Sequence, residues 1–295
     1  MRVHVGAYPT YGPPGSPAAA AVVTLLAGSP LVAGLEVPFE EGQLVLPRAP
    51  MPSAWRHVVT LMPATMTAVA GDPAWGPASP DAAGRASAID LLRSVRDAVT
   101  VRTDVAAVEL HSAPRGTGSA AAFAETLAEI ASWDWNGVDL VVEHCDAWTT
   151  AHPVEKGFLS LDEELDAIGA IATATRVAAG VNWARSVIET RDVSTGAEHA
   201  RTAAARGLLG ALMFSSVAGV ATDLAGPWRD VHLAPAGSPG APSGSLLSPE
   251  LVAETRRAAG SYEGILGVKV NLGPTVRTPA DQAAGLLEIA ALVVA

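Results

Sequence analysis

Cysteine is nearly missing from this chain. Cys145 is the single one among 295 residues, so no intramolecular disulfide can form, and the expected setting is a reducing cytoplasm. No uninterrupted apolar stretch approaches the ~20 residues needed to cross a bilayer. The first residues, Met1-Arg2-Val3-His4-Val5-Gly6, enter a strand-like alternation at once and lack the basic and then apolar segments of a secretory leader. Positive charge is scarce too: 19 Lys and Arg face 30 Asp and Glu, and the formal net charge of −11 argues against nucleic acid and anionic membrane as partners. No linker or composition shift marks a second domain. Hydrophobic residues make up 49%, enough for a large core, and one domain over 1–295 is expected.

Apolar runs of strand length alternate with Ala-rich stretches of helical periodicity. The runs place strands at 3–7, 32–37, 57–62, 106–111, 138–144, 180–183, 209–214 and 267–272. Helices are expected at 17–27, 81–99, 119–132, 161–178, 195–206, 248–259 and 279–293. Start signals support several of them: Ser160 before Leu161-Asp162-Glu163 in capping-box spacing, Ser248-Pro249-Glu250, and Thr278-Pro279. The Pro-rich segment 40–52 reads as irregular, and the Gly/Pro/Ser-rich segment 235–248 as a long loop before the next helix. Strands interleaved with helices imply parallel pairing through crossovers. An open doubly wound sheet usually carries G-x-G-x-x-G after its first strand, but here Tyr8-Pro9-Thr10-Tyr11-Gly12 follows. The expectation is a single-domain (β/α)8 TIM barrel.

In such a barrel the chemistry gathers at the C-terminal strand ends. Collected there are Glu36, Glu109, His111, Glu143, His144, Asn182, Arg185, Ser215, Asp230, His232, Lys269 and Asn271. Two segments stand out. Leu140-Val141-Val142-Glu143-His144 ends a buried strand in a carboxylate and an imidazole. Gly226-Pro227-Trp228-Arg229-Asp230-Val231-His232 offers the same pair from a loop. Carboxylate oxygen with imidazole nitrogen suits Zn, Mn or Fe better than Ca. Alternation turns Glu143 and His144 to opposite faces, sends Lys269 and Asn271 to a common one, and puts Glu109 and His111 on the inner face of strand four. Inward charge in a packed barrel is costly unless it lines a polar site, although ion pairs at the barrel mouth would also account for it. His4 and His57 lie at the opposite, stability face and read as structural; His152 and His199 read as solvated. Trp75, Trp148, Trp183 and Trp228 either stack on a sugar ring or wall the barrel. Cys145 reads as a small buried hydrophobe.

In order and spacing, these residues resemble the xylose-isomerase-like barrel superfamily of sugar and sugar-phosphate isomerases and epimerases, with its apurinic endonuclease branch. Glu143-His144 resembles the metal-binding Glu that ends strand five there, often followed by Asn-His. Asp230-Val231-His232 resembles the Asp-x-His pair after strand seven. Asn182 and Arg185 stand where that superfamily carries Asp and, three residues on, His; Lys269 stands nearest its final Glu. The likeness spans the whole chain in element order but keeps about half of the metal motif, which implies a divergent branch from which fold transfers better than activity. It implies a carbohydrate substrate and proton transfer beside a carbonyl. Glu143 would be base or metal ligand, and Glu36 or Glu109 the second acid/base group. Lys269 or a metal would be the electrophile, and Arg185 would hold a phosphate or carboxylate. His111, Asn182, Trp183, Trp228 and Asn271 complete the expected substrate contacts. A residual Mn, Zn or Mg site would use Glu143, Asp230 and His232. Asp to Asn, His to Arg and Glu to Lys together shift the local charge by about three units toward positive, and they oppose a cation. Lys269 is therefore expected within reach of Glu143 or Glu36, in the space where relatives hold metal. The alternatives are a non-catalytic sugar-binding or regulatory protein, with a homo-oligomer compatible with this and the enzyme reading alike, and a metal-dependent phosphoesterase, which the charge of −11 weakens.

Overall fold

Runs such as Leu140-Val141-Val142 and Val58-Val59 favour extended backbone, and the Ala-rich stretches between such runs favour helix. A computed structural model describes residues 1–171 and 176–295. In chain order the first half contains β1 (Val3–Gly6), α1 (Tyr8–Tyr11), α2 (Pro17–Ala27), β2 (Val32–Glu40), β3 (Gln43–Leu44), β4 (His57–Thr60), α3 (Met62–Gly71), α4 (Ala82–Thr100), β5 (Val105–Leu110) and α5 (Ala120–Ala131). The second half contains β6 (Asp139–Glu143), α6 (Leu161–Ile171), β7 (Val177–Asn182), α7 (Trp183–Thr190), α8 (Thr195–Ala205), β8 (Leu209–Phe214), α9 (Pro249–Ala258), β9 (Ile265–Lys269) and α10 (Pro279–Val294). Strands β1, β2, β4, β5, β6, β7, β8 and β9 pair in parallel, and β9 returns to β1, so the sheet closes into an eight-stranded TIM barrel. The two-residue β3 adds only an antiparallel hairpin to the end of β2. No helix among the described residues is long and apolar enough to cross a membrane.

Helix starts follow the sequence signals. Ser16, Asp81, Ser119, Ser248 and Thr278 each accept a hydrogen bond from the backbone N–H three residues on. Caps of this kind contribute ~1 kcal/mol each. The reciprocal box at Ser160 also forms, with Ser160 N–H donating to Glu163 at 2.9 Å and Glu163 N–H to Ser160 Oγ at 3.4 Å.

Alternation divides the strands between two layers. Val59, Val108, Val142, Val181, Leu212 and Val268 face outward into the main core, with Leu127, Ile168, Val252 and Leu286 of the helices. Inside, Ala107, Val141 and Ala211 pack with Ile265 as a small separate cluster. Space there is tight. A Cβ on Gly180 would stand 2.7 Å from Val141 Cγ1, and one on Gly267 would stand 2.5 Å from Met213 Cε.

Several boundaries differ from expectation. The helix expected over 161–178 is described to Ile171; residues 172–175 of that span lie outside the described ones, and Val177-Ala178 belong to β7. The Ala-rich run there reads as helix locally, but ladder partners on β6, beginning at Leu140↔Val177, pull it into the sheet. The last strand ends at Lys269, so Asn271 lies beyond it. Three helices, α1, α3 and α7, fall outside the expected set, and none of them starts with a side-chain cap. Helix α7 follows β7 without a break, and its N-cap Asn182 makes no side-chain cap.

Candidate active site at the barrel mouth

Lys269 ends β9 on the inward face, as alternation requires. Its Nζ lies 2.6 Å from Glu36 Oε1, with both side chains fully buried. Gly6 of β1 makes room for the pair: a Cβ there would stand 2.8 Å from Glu36 Oε2 and 3.0 Å from Lys269 Cγ. The Tyr8 ring faces the ammonium at 5.3 Å. Burial alone would pull the Lys269 ammonium down, but Glu36, Tyr8 and Glu143 outweigh it and hold the group well above the ordinary lysine value. Burial pushes the Glu36 carboxyl up, and Lys269 opposes that only in part.

A second group centres on Glu143, the last residue of β6. Its carboxylate receives Arg185 Nη1 at 2.6 Å, His111 Nε2 at 3.0 Å and Asn182 Nδ2 at 3.1 Å. Ser215 Oγ in turn donates to Asn182 Oδ1 at 3.3 Å. Arg185, in the first turn of α7, also donates from Nε to Asp230 Oδ2 at 3.0 Å. Lys156 Nζ meets the same oxygen at 2.8 Å, and His232 Nδ1 stands 3.2 Å from Asp230 Oδ1. Burial would raise the Glu143 carboxyl, but Arg185, Lys269 and His111 reverse this and hold it well below the usual range. Asp230 is held low in the same way, with Lys156, His232 and Arg185 outweighing burial. Burial holds His111 neutral, down to about 4, despite its bond to Glu143.

Glu109 differs from both groups. It is fully buried on the inner face of β5, and neither carboxyl oxygen has a hydrogen-bond partner. Burial, and then the charges of Glu143 and Glu36, push its carboxyl well above the usual range, which favours the protonated form.

The expected metal ligands Glu143, Asp230 and His232 do come together, but around a guanidinium. Arg185 bonds both carboxylates, Lys156 shares Asp230 Oδ2 with it, and Lys269 adds positive charge close enough to act on Glu143. A divalent ion there would meet fixed cations and carboxylates that already have partners. With those partners in place, this donor set does not fit the expected Mn, Zn or Mg ion.

Three other expected contacts lie elsewhere. The Trp183 ring is buried against Gly196 of α8, where a Cβ would stand 2.2 Å from it. It therefore walls the barrel. The Trp228 ring lies against Gly219 and stacks with the Arg191 guanidinium at 5.6 Å. Asn271 turns its side-chain oxygen to the N–H of Gly273 at 2.9 Å, because the strand has already ended. Cys145 is buried as expected, and burial holds its thiol well above the ordinary value. His4 and His57 are structural: His4 Nε2 meets the Arg56 carbonyl at 2.9 Å, and His57 Nδ1 accepts from Leu35 N–H at 3.2 Å. Sequence reasoning missed Lys156 and Tyr8. Tyr8 lies two residues past the end of β1, so the strand-end argument could have found it; Lys156 sits in a loop with no pattern to mark it.

Behind the strand, His144 heads a different cluster. Its Nδ1 donates to Glu164 of α6 at 2.7 Å and its Nε2 to Glu189 of α7 at 2.9 Å. Ser112 Oγ donates to Glu164 at 2.5 Å, and Ala147 N–H to Glu189 at 2.9 Å. Burial would lower the imidazole, but the two carboxylates raise it to about 10, so it is an imidazolium. His199 of α8, expected to be solvated, instead packs its ring at 5.0 Å from His144, with Nδ1 at 3.1 Å from Ser186 Oγ.

Residues 4–282 match the family described as a domain of unknown function, DUF4862, and the chain belongs to that family. Uncharacterized protein STM3670 of Salmonella typhimurium (strain LT2) is 39% identical over 192 residues. The match takes in 61% of this chain and spans 59% of that relative's length. Among solved structures, D-allulose 3-epimerase from Methylomonas sp. superposes with a TM-score of 0.58 at 15% identity, over 97% of this chain and 96% of that one. A xylose isomerase domain containing protein from Salmonella typhimurium does so with a TM-score of 0.57 at 10% identity, over 99% and 97%. At such identities the likeness is one of fold: the chain has the xylose-isomerase-like TIM barrel to which its strand-end residues pointed.

Proposed function

We propose that this protein transfers a proton at a carbon beside a carbonyl of a small carbohydrate, as an isomerase or epimerase, using its own cations where a metal would otherwise serve. One observation carries this reading: two buried ion pairs, Lys269–Glu36 and Arg185–Glu143, each at 2.6 Å, share the barrel mouth. Abstraction of that proton creates an enediolate, whose oxygen needs fixed positive charge in a dry site. Lys269 and Arg185 supply it. The base should be the more basic carboxylate. Glu143 is held low and has three donors, so its part is to anchor Arg185. Glu36 is raised and has Lys269 as its partner, so it takes the proton. Glu109 carries the proton a general acid needs.

These groups are buried, and the loops after β6 and β8 are pinned together over them. Lys156 meets Asp230 at 2.8 Å, and Arg229 meets Glu155 at 3.0 Å. Substrate access requires those loops to part.

The test is incubation with a panel of ketoses, aldoses and their phosphates in deuterated water, with chelator present. The expected result is exchange at the α-carbon that Glu36→Gln abolishes. No exchange with any member, with or without Mn2+, would exclude the reaction. The pairing of Lys269 with Glu36, and of Arg185 with Glu143 and Asp230, favours a second reading, a sugar-binding protein without turnover. Ligand-dependent thermal stabilisation with no exchange would establish it.

A further inference from the structure

The His144 cluster lies outside the mouth, across the wall of β6, and the proton-transfer reading makes no use of it. Ligand atoms of His144, Glu189 and His199 all lie within 4.8 Å of one another. Around a tetrahedral ion with bonds of 2.0–2.2 Å, such atoms stand about 3.4 Å apart, so a small side-chain adjustment closes the group. Each histidine already has one ring nitrogen engaged by an outer partner: Glu164 takes Nδ1 of His144 at 2.7 Å, and Ser186 Oγ meets Nδ1 of His199 at 3.1 Å. Outer contacts of this kind fix ring orientation in metal sites, a carboxylate behind a histidine above all. Charge points the same way. Glu164 and Glu189 flank a single imidazole, so the cluster carries surplus negative charge in either protonation state of that ring, and a divalent ion would offset it. The mouth has no such surplus, because Arg185, Lys156 and Lys269 already balance its carboxylates.

We propose that His144, Glu189 and His199 form a site for one borderline divalent ion, Zn2+ foremost, binding the end of β6 to α7 and α8. On binding, the proton between His144 Nε2 and Glu189 leaves to solvent, and the nitrogen lone pair passes to the metal. Ser186 Oγ engages Nδ1 of His199, so Nε2 is the nitrogen that would ligate. Glu189 is 17% exposed, which gives the ion a route in and water a place as fourth ligand. Two imidazoles among the donors favour Zn2+, Co2+ or Ni2+ over Mg2+ and Ca2+.

The experiment is calorimetric titration of ZnCl2 into the full chain after stripping with chelator. One ion per chain is expected, and Co2+ in its place should show the visible absorption of a four-coordinate N/O site. His199→Gln should weaken binding at least tenfold and abolish that absorption, and Glu164→Gln should weaken it 10- to 100-fold. Circular dichroism checks the fold of each variant; should His199→Gln fail to fold, Glu164→Gln carries the test. Glu143→Gln should leave the stoichiometry at one. The proposal is overturned if the wild-type chain binds no ion at this stoichiometry. It is equally overturned if Glu143→Gln removes the ion while the two cluster variants keep it. Neither result depends on whether the mouth has any activity.

Discussion

Glu143 and His144 are neighbours in sequence, yet the end of β6 sends them into opposite kinds of ionic environment. Inside the barrel a carboxylate is held by a guanidinium, a neutral imidazole and an amide. Outside, an imidazolium is held by two carboxylates. The inner group draws on five strands, α7 and two loops, and its Glu143 and Arg185 are fully buried; the outer one draws on the end of β6 and three helices, and its Glu189 and His199 are partly exposed. In both, a buried charge persists because it is bonded on several sides. The difference lies in the remainder. The inner group balances itself and leaves no vacancy for a metal, whereas the outer one keeps a spare negative charge.

The largest effect should come from breaking the inner group. Arg185→Met leaves Glu143 and Asp230 without their shared cation and should cost about 3–5 kcal/mol, read from urea denaturation. A loss below about 1 kcal/mol would show that Lys156 and His111 suffice and that the two clusters tolerate loss of a central cation alike. His144→Gln is the matching change outside. Because Glu189 can turn toward water, the cost should be smaller, about 1–3 kcal/mol, in the chelated protein. A loss equal to that of Arg185→Met would end the distinction between a sealed and a vented cluster. Glu109→Gln should change stability at neutral pH by no more than about 0.5 kcal/mol, since a neutral carboxyl is exchanged for a neutral amide. A larger loss would mean that Glu109 is ionised and that the inner charge is not balanced.

The smallest effect concerns His4, at the far end of the barrel. Burial lowers it from 6.5 to about 4, so the folded protein keeps a neutral ring over a range where the unfolded chain takes up a proton. Stability therefore falls as pH drops from about 6.5 toward 4. His4→Gln should shrink the difference between urea midpoints at pH 7 and pH 5 without abolishing it, since His111 and His199 are lowered similarly. An unchanged difference would place the acid sensitivity at the mouth and in the outer cluster alone.

Much of this was legible in the residues. Periodicity and turn chemistry are local, so the strand–helix alternation, the capped helix starts and the inward direction of Lys269, Glu143 and Glu36 can be read without a structure. Where local and non-local preferences disagreed, the reading failed. Val177-Ala178-Ala179 is helix by propensity and strand by pairing, and α7 begins without a capping side chain because Asn182 is turned inward to Glu143. His199 was misjudged because its partial burial depends on α8 packing against α7 and on the approach of the His144 ring, which nothing near it in the chain signals.

The sequence by itself determined a parallel barrel with charge of both signs at its C-terminal end, because period-two alternation and strand-end position depend on a few adjacent residues. Only the tertiary structure decided who pairs with whom. Glu36 and Lys269 are separated by most of the chain and come within 2.6 Å of each other because β1, between them, closes the barrel. Arg185 bridges Glu143 and Asp230 because α7 starts where β7 ends and the loop after β8 folds back over the mouth. Partner choice among buried charges depends on distances of a few ångström between segments remote in sequence, and no local pattern encodes them.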